Sequence, residues 1–136
     1  MNKNYAGVAV KHKDSLLLAK RIEFCPITNS PTKFPGYWSI FCGLIEANES
    51  PIDCASRELF EEASINVCSK NLSFITEIKQ ERSSLFLYKF DCVNKVKPKL
   101  NFEHTDFIWL DFKDLKSCTL KTDHSLLDII IEDHHN

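Results

Sequence analysis

The sequence predicts a single α/β domain in which helices pack on a mixed β-sheet. Three observations support this prediction. The length of 136 residues suits one domain, short apolar runs alternate with polar turns, and two helical patterns lie among and after these runs. A composition with 43% hydrophobic and 26% charged residues is typical of a globular protein, which excludes a disordered or fibrous chain.

The apolar runs predict the strands of the sheet. Four polar residues separate the first two runs, which indicates a hairpin. Three prolines between Arg21 and Tyr37 predict a loop, and long surface loops often carry function. The third run leads directly into Phe41, Cys42 and Gly43. The predicted strands cover residues 5–10, 15–19, 38–40, 72–78, 85–90 and 107–110.

Capping signals and apolar periodicity predict two helices. Ser50 is a suitable N-cap, Pro51 favours the first helical position, and Asp53 is an acid in the first turn. Apolar side chains then recur at helical spacing, so we expect this helix to run from Pro51 to about Ala63. A second helix over residues 125–131 is expected to close the domain.

Charge and cysteine content narrow the range of functions. Seventeen Lys and Arg against nineteen Asp and Glu give a formal net charge of -2, which argues against binding to duplex nucleic acid. The six cysteines include no C-x-x-C pair, so no zinc or redox motif is predicted. The N-terminal apolar stretch is too short for a signal peptide or a membrane span. We therefore expect a cytoplasmic protein with reduced thiols and no membrane partner.

Three glutamates of the first helix, Glu58, Glu61 and Glu62, fall on one edge of the helix, within an arc of roughly 100°. Like charges at this spacing repel, but in a solvated helix each pair costs only about a few tenths of a kcal/mol. A charged surface face therefore explains the cluster as well as a metal site does. A bound cation would relieve the repulsion, because Mg²⁺ takes hard oxygen ligands such as carboxylates.

A wider pattern favours the metal site. One glycine, five charged residues and two aliphatic residues occur at fixed spacing, and this pattern resembles the Nudix box, G-x5-E-x7-R-E-U-x-E-E-x-G-U, with U aliphatic. Matching the glycine and the charged positions by chance has a probability on the order of 10⁻⁵ in a chain of this length. The resemblance implies a MutT-like Nudix hydrolase with one α/β/α sandwich domain over residues 1–136. The matching residues are Gly43, Glu49, Arg57, Glu58, Leu59, Glu61, Glu62 and Ile65.

The resemblance implies which residues of the box bind metal. Glu58, Glu61 and Glu62 are the expected metal-binding and catalytic set, with the backbone carbonyl of Gly43 facing the same site. The expected cofactor is Mg²⁺, with Mn²⁺ as a substitute. A rigid helix edge with three carboxylates suits such an ion, which usually keeps water and substrate phosphates as its other ligands.

The resemblance also implies a structural pair, and the sequence departs from the pattern at two places. Glu49 and Arg57 are expected to form an ion pair that holds the loop before the helix. Ser64 replaces the last glycine of the box, where a left-handed turn favours glycine by about 1 kcal/mol, so we expect the helix to end differently. Phe41 and Cys42 replace the Pro-Gly of many members, which affects the loop and hence the substrate fit.

Residues outside the box supply further candidates. Glu103 resembles the additional glutamate of several Nudix enzymes, as a fourth ligand or as the base that activates water, and a solvated loop acid is an equal alternative. Arg21 or Lys20, at the end of the second strand, is a candidate for holding a phosphate, with plain surface charge as the alternative. His104 and His12 are weaker candidates for bases, since a lone histidine is more often an ordinary surface or core residue.

Four aromatic side chains receive no role in the site. Trp38 and Trp109 are expected to be core residues rather than platforms for stacking a substrate. His134 and His135 are expected to fray at the end of the chain. The apolar C-terminal helix either completes the core or pairs with a second copy, so both a monomer and a homodimer stay open.

The resemblance predicts a pyrophosphohydrolase in which water cleaves a nucleoside diphosphate linked to another group. The short chain lacks the extra N-terminal region of larger ADP-ribose-type members, which favours a nucleoside triphosphate substrate and release of pyrophosphate. The segments around Ser64 and Trp109 are similar to the dihydroneopterin triphosphate and dATP pyrophosphatase branch. Sugar nucleotides and dinucleoside polyphosphates stay open. The alternatives are a Nudix-fold module that binds a nucleotide without hydrolysing it, and an interaction domain with an accidental acidic helix.

Overall fold

The structure, a computed structural model, describes residues 3–27, 30–31 and 34–136. Strands are numbered β1 to β9 and α-helices α1 to α3 in chain order, and a 3-10 turn covers Ser69–Asn71. The elements are β1 (Lys3–His12), β2 (Ser15–Arg21), β3 (Phe24–Cys25), β4 (Ser30–Pro31), β5 (Trp38–Ser39), β6 (Phe41–Leu44), α1 (Pro51–Ala63), β7 (Ser73–Lys79), β8 (Ser83–Asp91), β9 (His104–Asp111), α2 (Phe112–Leu115) and α3 (His124–His134).

Seven of the described strands form one mixed sheet, as predicted. The order along the sheet is β5-β2-β1-β8-β7, with β6 also paired to β1 and β9 also paired to β2. The β1 and β8 strands run parallel, and the other pairs are antiparallel. The predicted first hairpin is present, and Lys13 in its turn has a φ of 51°. The central strand β1 thus joins all parts of the sheet.

Helices cover both faces of this sheet because its strands are apolar on both sides. In β1, Val8 and Val10 pack with the buried side chains of α1, whereas Ala9 packs with those of α3 on the other face. In β2, Leu17 and Leu18 divide between the two faces in the same way. Alternate side chains of a strand point to opposite faces, so two separate apolar clusters result. This arrangement confirms the predicted α/β/α sandwich.

The α1 helix begins and ends at the predicted residues. The Ser50 hydroxyl accepts a hydrogen bond from the Asp53 amide at 3.3 Å, and Pro51 occupies the first turn. The expectation of an altered helix end is wrong. Ser64 itself adopts the left-handed conformation, with φ 57° and ψ 29°, and its amide donates to the Phe60 carbonyl at 2.9 Å. The hydrogen bond of the cap is the same for serine as for glycine, so only the cost of the backbone conformation differs.

Several predicted boundaries in the strands are corrected by the structure. The predicted strand at 38–40 is two short strands separated at the buried Ile40, because β5 pairs with β2 and β6 pairs with β1. The predicted loop between Arg21 and Tyr37 contains the β3–β4 hairpin, while residues 28–29 and 32–33 of that prediction lie outside the described residues. The last strand, predicted from residue 107, already begins at His104.

The C-terminal helix is longer than predicted and is anchored at its end. The Asp123 carboxylate caps it by accepting hydrogen bonds from the amides of Ser125 and Leu126. The expectation that His134 frays is wrong, because its Nε2 lies 3.0 Å from Asp14 Oδ1 and its ring stacks on Phe112 with centroids 3.8 Å apart. These contacts join residues far apart in sequence, which no local pattern reveals.

The two tryptophans are core residues, as predicted. Each is partly buried and packs against one of the two apolar clusters, and the Trp109 indole donates a hydrogen bond to the Val96 carbonyl at 2.9 Å. Among the described residues, no helix combines the length and the apolar character needed to cross a membrane.

Replacing Ser64 by glycine should stabilise the protein. Glycine adopts the left-handed conformation without the penalty that serine bears, so we expect a gain of about 1 kcal/mol and a rise in the melting temperature of about 3 °C. The measurement is urea and thermal denaturation. Ser64→Ala is the matched control and should show no gain, because alanine bears the same penalty. Equal stability of the glycine variant and the parent would contradict this account, as would a collapse of turnover in Ser64→Gly.

Candidate functional site

The candidate site lies where the C-terminal half of α1 meets the start of β9 and the end of β2. At its centre is Glu62, whose side chain is 1% exposed. One ligand atom from each of Glu62, Glu103 and His104 lies within 4.8 Å of the other two. Both carboxylate oxygens of Glu62 and both ring nitrogens of His104 are buried without a hydrogen-bond partner among the described residues. The fold therefore brings together three groups able to bind a metal ion.

Backbone hydrogen bonds hold the two parts of this site together. The amides of Lys99 and Asn101 donate to the carbonyls of Ala63 and Glu62 at 2.9 and 3.1 Å, which ties the segment before β9 to the end of α1. The Asn101 side-chain oxygen then accepts from the Glu103 amide at 2.9 Å. One short segment thus determines where Glu103 lies relative to Glu62.

Burial shifts the pKa values of all three groups away from their ordinary range. It raises the pKa of Glu62 to about 11, with the adjacent Glu58 carboxyl and the charge of Glu103 acting in the same direction. It also raises the pKa of Glu103, with the charge of Glu58 adding to the effect. It lowers the pKa of His104 to about 4, helped by the positive charge of Arg21. A cation would offset the cost of holding the two carboxylates charged in this place.

Gly43 provides the space that the carboxyl group of Glu58 occupies. A Cβ built on Gly43 would overlap the carboxyl atoms of Glu58, whose side chain is 13% exposed. The Gly43 carbonyl oxygen, expected to face the metal, lies 3.7 Å from the Cys54 thiol. The glycine of the box is therefore needed for a close approach of side chain to backbone.

Arg57 compensates the charge of the outer carboxylates. Its Nε and Nη2 donate to the two oxygens of Glu49 at 2.7 and 3.0 Å, and Nη2 also donates to the Leu44 carbonyl at 3.1 Å. Its Nη1 lies 2.9 Å from Glu58 and 3.0 Å from Glu61. Hydrogen bonding to Arg57 lowers the pKa of Glu49 to about 2. The loop before α1 is thereby attached to the helix, which is the arrangement that the resemblance to the Nudix box implies.

The three glutamates expected to converge lie at different depths. Glu62 is fully buried and Glu58 mostly buried, whereas Glu61 is 51% exposed and pairs with Arg57. Of these three, Glu62 belongs to the compact group of ligand atoms, together with Glu103 and His104 from outside the box.

A family model described as NUDIX domain matches residues 1–131. The chain belongs to the Nudix family. The predictions of the family, of its sandwich fold and of a pyrophosphohydrolase are therefore confirmed. None of the curated proteins compared with the chain matches its sequence.

Solved structures share the Nudix fold at low sequence identity. The MutT protein from Methanosarcina mazei Go1 is 19% identical with a TM-score of 0.73, over 98% of this chain and 93% of that chain. The MutT NUDIX hydrolase from Burkholderia pseudomallei is 18% identical with a TM-score of 0.75, over 98% of both chains. A bifunctional NMN adenylyltransferase/ADP ribose pyrophosphatase from Francisella tularensis, complexed with AMP and a Mn ion, is 19% identical with a TM-score of 0.69, over 98% of this chain and 42% of that chain.

The arginine and histidine candidates lie at opposite ends of the Nudix sheet, with Arg21 and His104 at one end and His12 at the other. Arg21 is in register with His104 across the β2–β9 ladder, and its charge affects the pKa values of Glu62, Glu103 and His104. His12 lies at the other end of the sheet, where its Nδ1 is 3.0 Å from the Cys92 carbonyl oxygen. The sequence offers both histidines as candidate bases, and the one feature that distinguishes His104 is its position directly after Glu103.

Substituting Gly43 by alanine should destabilise the protein only while Glu58 is present. The new Cβ would displace the Glu58 carboxyl, at a cost of about 1–3 kcal/mol in the parent. In a Glu58→Ala background the obstruction is gone, so the same substitution should be nearly neutral. Urea denaturation of the four proteins of this cycle provides the measurement. An equal cost of Gly43→Ala in both backgrounds would show that Glu58 is not what the glycine accommodates.

The Glu49–Arg57 pair should contribute stability that disappears in acid. The pKa of Glu49 is lowered from its ordinary 4.5 to about 2. Its contribution is therefore complete above pH 4.5 and is lost as the pH falls from 4.5 towards 2. We expect Glu49→Gln to cost about 1–2 kcal/mol at pH 7 and progressively less below pH 4.5, as measured by urea denaturation between pH 3 and pH 7.

The matched control for this pair is Glu46→Gln. Glu46 also lies near Arg57, at 3.3 Å, but it is exposed and should cost less than about 0.5 kcal/mol. A destabilisation by Glu49→Gln that stays constant down to pH 3 would contradict the assignment.

Proposed function

We propose that this Nudix hydrolase uses a divalent cation, Mg²⁺ or Mn²⁺, to cleave a nucleoside triphosphate or a related nucleoside diphosphate-linked compound. Water attacks a phosphorus atom, and pyrophosphate is released from a triphosphate. The observation that carries the proposal is the gathering of Glu62, Glu103 and His104 beside Glu58, in which the buried ligand atoms of Glu62 and His104 lack hydrogen-bond partners within the described residues. We propose that the whole chain acts as one such domain in the cytoplasm.

The donor set fits a hard divalent cation. A buried carboxylate without a partner is unfavourable unless it is protonated or bound to a cation, and Glu62 is in this position. The bound cation supplies charge neutralisation on the diphosphate and lowers the pKa of a water molecule. We propose that Glu58, Glu61 and Glu62 would hold it. The Gly43 carbonyl stays a candidate ligand.

Glu103 and Arg21 act on the substrate side of this site. The half-buried carboxylate of Glu103 is positioned by the backbone of this residue. The Glu103 amide donates to the Asn101 side-chain oxygen, and the Glu103 carbonyl accepts a hydrogen bond from the Ile22 amide at 2.8 Å. The raised pKa of Glu103 suits a group that accepts a proton from water, and the same position suits a fourth metal ligand. We propose that the Arg21 guanidinium holds a phosphate, for which its planar donors are well shaped. No covalent intermediate with the enzyme is needed.

The substrate class is the finer part of the proposal. Two of the similar structures are named MutT, and a third is named for ADP ribose pyrophosphatase. We propose triphosphates of the dihydroneopterin and dATP type as the first class to test, with sugar nucleotides and dinucleoside polyphosphates as the other members of the panel. The protein is proposed to act as a monomer or a homodimer on a small nucleotide, without binding duplex nucleic acid or membrane.

The decisive assay measures release of pyrophosphate and phosphate from this nucleotide panel, with and without Mg²⁺ or Mn²⁺. The parent should hydrolyse at least one nucleotide in a metal-dependent way. Glu62→Gln should lower kcat by roughly 100-fold or more, since it removes a charged group from the metal site. Glu81→Gln, at an exposed position in the β7–β8 turn, is the matched control and should leave the rate unchanged.

The same panel tests the alternative functions. Nucleotides that raise the melting temperature without being hydrolysed would favour a binding module. No effect of any nucleotide on either turnover or melting would favour an interaction domain and would end the proposal.

A further inference from the structure

We propose that His104 is a nitrogen ligand of the metal centre. The position formed by Glu62, Glu103 and His104 then binds a first-row transition ion such as Mn²⁺ or Co²⁺ in preference to Mg²⁺. This inference rests on the proposed metal-dependent function and names the class of ion that one part of the site takes. Glu103 was proposed above as either a metal ligand or the base that accepts a proton from water, and this inference assigns it the role of ligand.

The first step of the argument is the burial of the imidazole. The His104 side chain is 0% exposed, and neither ring nitrogen has a hydrogen-bond partner among the described residues. A neutral imidazole has one donor and one acceptor, and buried polar atoms of this kind are nearly always satisfied. Packing alone does not satisfy them, since the contact of the ring with Phe41, edge-on at 5.2 Å, involves no hydrogen-bonding group. The buried ring nitrogens of His104 are therefore free of protein partners within the described residues and placed to bind a ligand.

The second step is the distance between the ring and Glu62. Nδ1 of His104 lies 3.8 Å from Oε1 of Glu62, which is too long for a hydrogen bond. Two ligands that share one ion at about 2.1 Å are separated by roughly 3 to 4.2 Å, depending on the angle between them. The observed separation of Nδ1 and Oε1 lies in this range. A ligand atom of Glu103 lies within 4.8 Å of one on each of the other two residues. The spacing thus suits joint coordination better than direct pairing.

The third step is the way the backbone holds the ring in place. A bulge in the β2–β9 ladder lies between Lys20 and Arg21, and His104 pairs with Arg21 directly after it. The Asn101 carbonyl accepts a hydrogen bond from the His104 amide at 3.4 Å, while the Asn101 amide donates to the Glu62 carbonyl. The residue that ties the segment to α1 therefore also holds His104, so the two ligands are positioned by one connection. Such support is what a metal site requires.

The fourth step concerns the identity of the ion. Mg²⁺ prefers oxygen ligands throughout and gains little from imidazole, whereas transition ions bind imidazole well, with affinity rising from Mn²⁺ to Co²⁺. A buried nitrogen beside two carboxylates therefore shifts the preference of this position towards the transition ions. Glu58 and Glu61 supply oxygen ligands only, which Mg²⁺ prefers. Binding of Mg²⁺ through these two residues therefore does not need the imidazole.

The test uses Mn²⁺ as both ligand and spectroscopic probe. Electron spin echo envelope modulation detects a ¹⁴N nucleus that is bound to Mn²⁺, and the wild-type protein with one equivalent of Mn²⁺ should show this coupling. Growth with ¹⁵N-histidine should replace the ¹⁴N signal by that of ¹⁵N. This labelling needs no variant, so it holds even where a substitution at the buried residue disturbs folding.

Two variants then assign the nitrogen to one residue. His104→Gln should abolish the coupling and weaken Mn²⁺ binding by roughly tenfold or more in calorimetry, while Mg²⁺ binding changes by less than about threefold. His124→Gln, at an exposed position at the start of α3, should retain both the coupling and the affinity. Circular dichroism and melting curves verify that each variant is folded.

Each outcome separates this inference from the proposed function. Absence of histidine coupling in the wild-type protein, or its persistence in a folded His104→Gln variant, would overturn the inference even if nucleotides are hydrolysed. Coupling that is lost only in His104→Gln, in a protein that hydrolyses nothing on the panel, would support the metal centre and reject the proposed hydrolysis.

Discussion

The site depends on one buried carboxylate. Glu62 projects from the end of α1 into a region closed by the segment before β9, and its two oxygens have no hydrogen-bond partner among the described residues. A carboxylate in this position is stable only with a proton or a cation beside it. Three neighbouring groups contribute to the environment of Glu62. Glu103 adds negative charge, His104 adds a neutral donor atom, and Arg21 adds the positive charge that opposes the shifts of both acids.

Two separate means of charge compensation operate along α1. Arg57 contacts Glu49, Glu58 and Glu61, and it connects the loop before the helix to the outer row of carboxylates. Within the described chain its ion pairs do not extend to Glu62. The outer carboxylates are therefore partly compensated by Arg57 before any cation binds, whereas Glu62 is not. The fold can therefore be stable before a cation binds, and the uncompensated carboxylate of Glu62 favours binding of a cation.

The parts of this fold that sequence predicts are those determined by local signals. The limits of α1 follow from Ser50, Pro51 and the apolar period, and the sheet follows from alternating runs. Features that depend on distant partners were missed. The anchoring of His134 needs Asp14 from the first turn, and the approach of His104 to Glu62 needs a segment 42 residues later in the chain. The family pattern predicts the acidic helix, whereas nothing in it places the imidazole of His104 beside Glu62.

The different depths of the three box glutamates follow from the helix period. At about 100° per residue, Glu62 lies about 20° from the buried Ala55 around the helix axis, Glu58 about 60° and Glu61 about 120°. The order of exposure, from 1% through 13% to 51%, is the same. Sequence therefore determines which carboxylate faces the core and which faces solvent. It does not determine which groups surround the buried Glu62, because these come from the segment before β9 that covers the end of the helix. The chemistry of the site therefore depends on both the end of α1 and the segment that covers it.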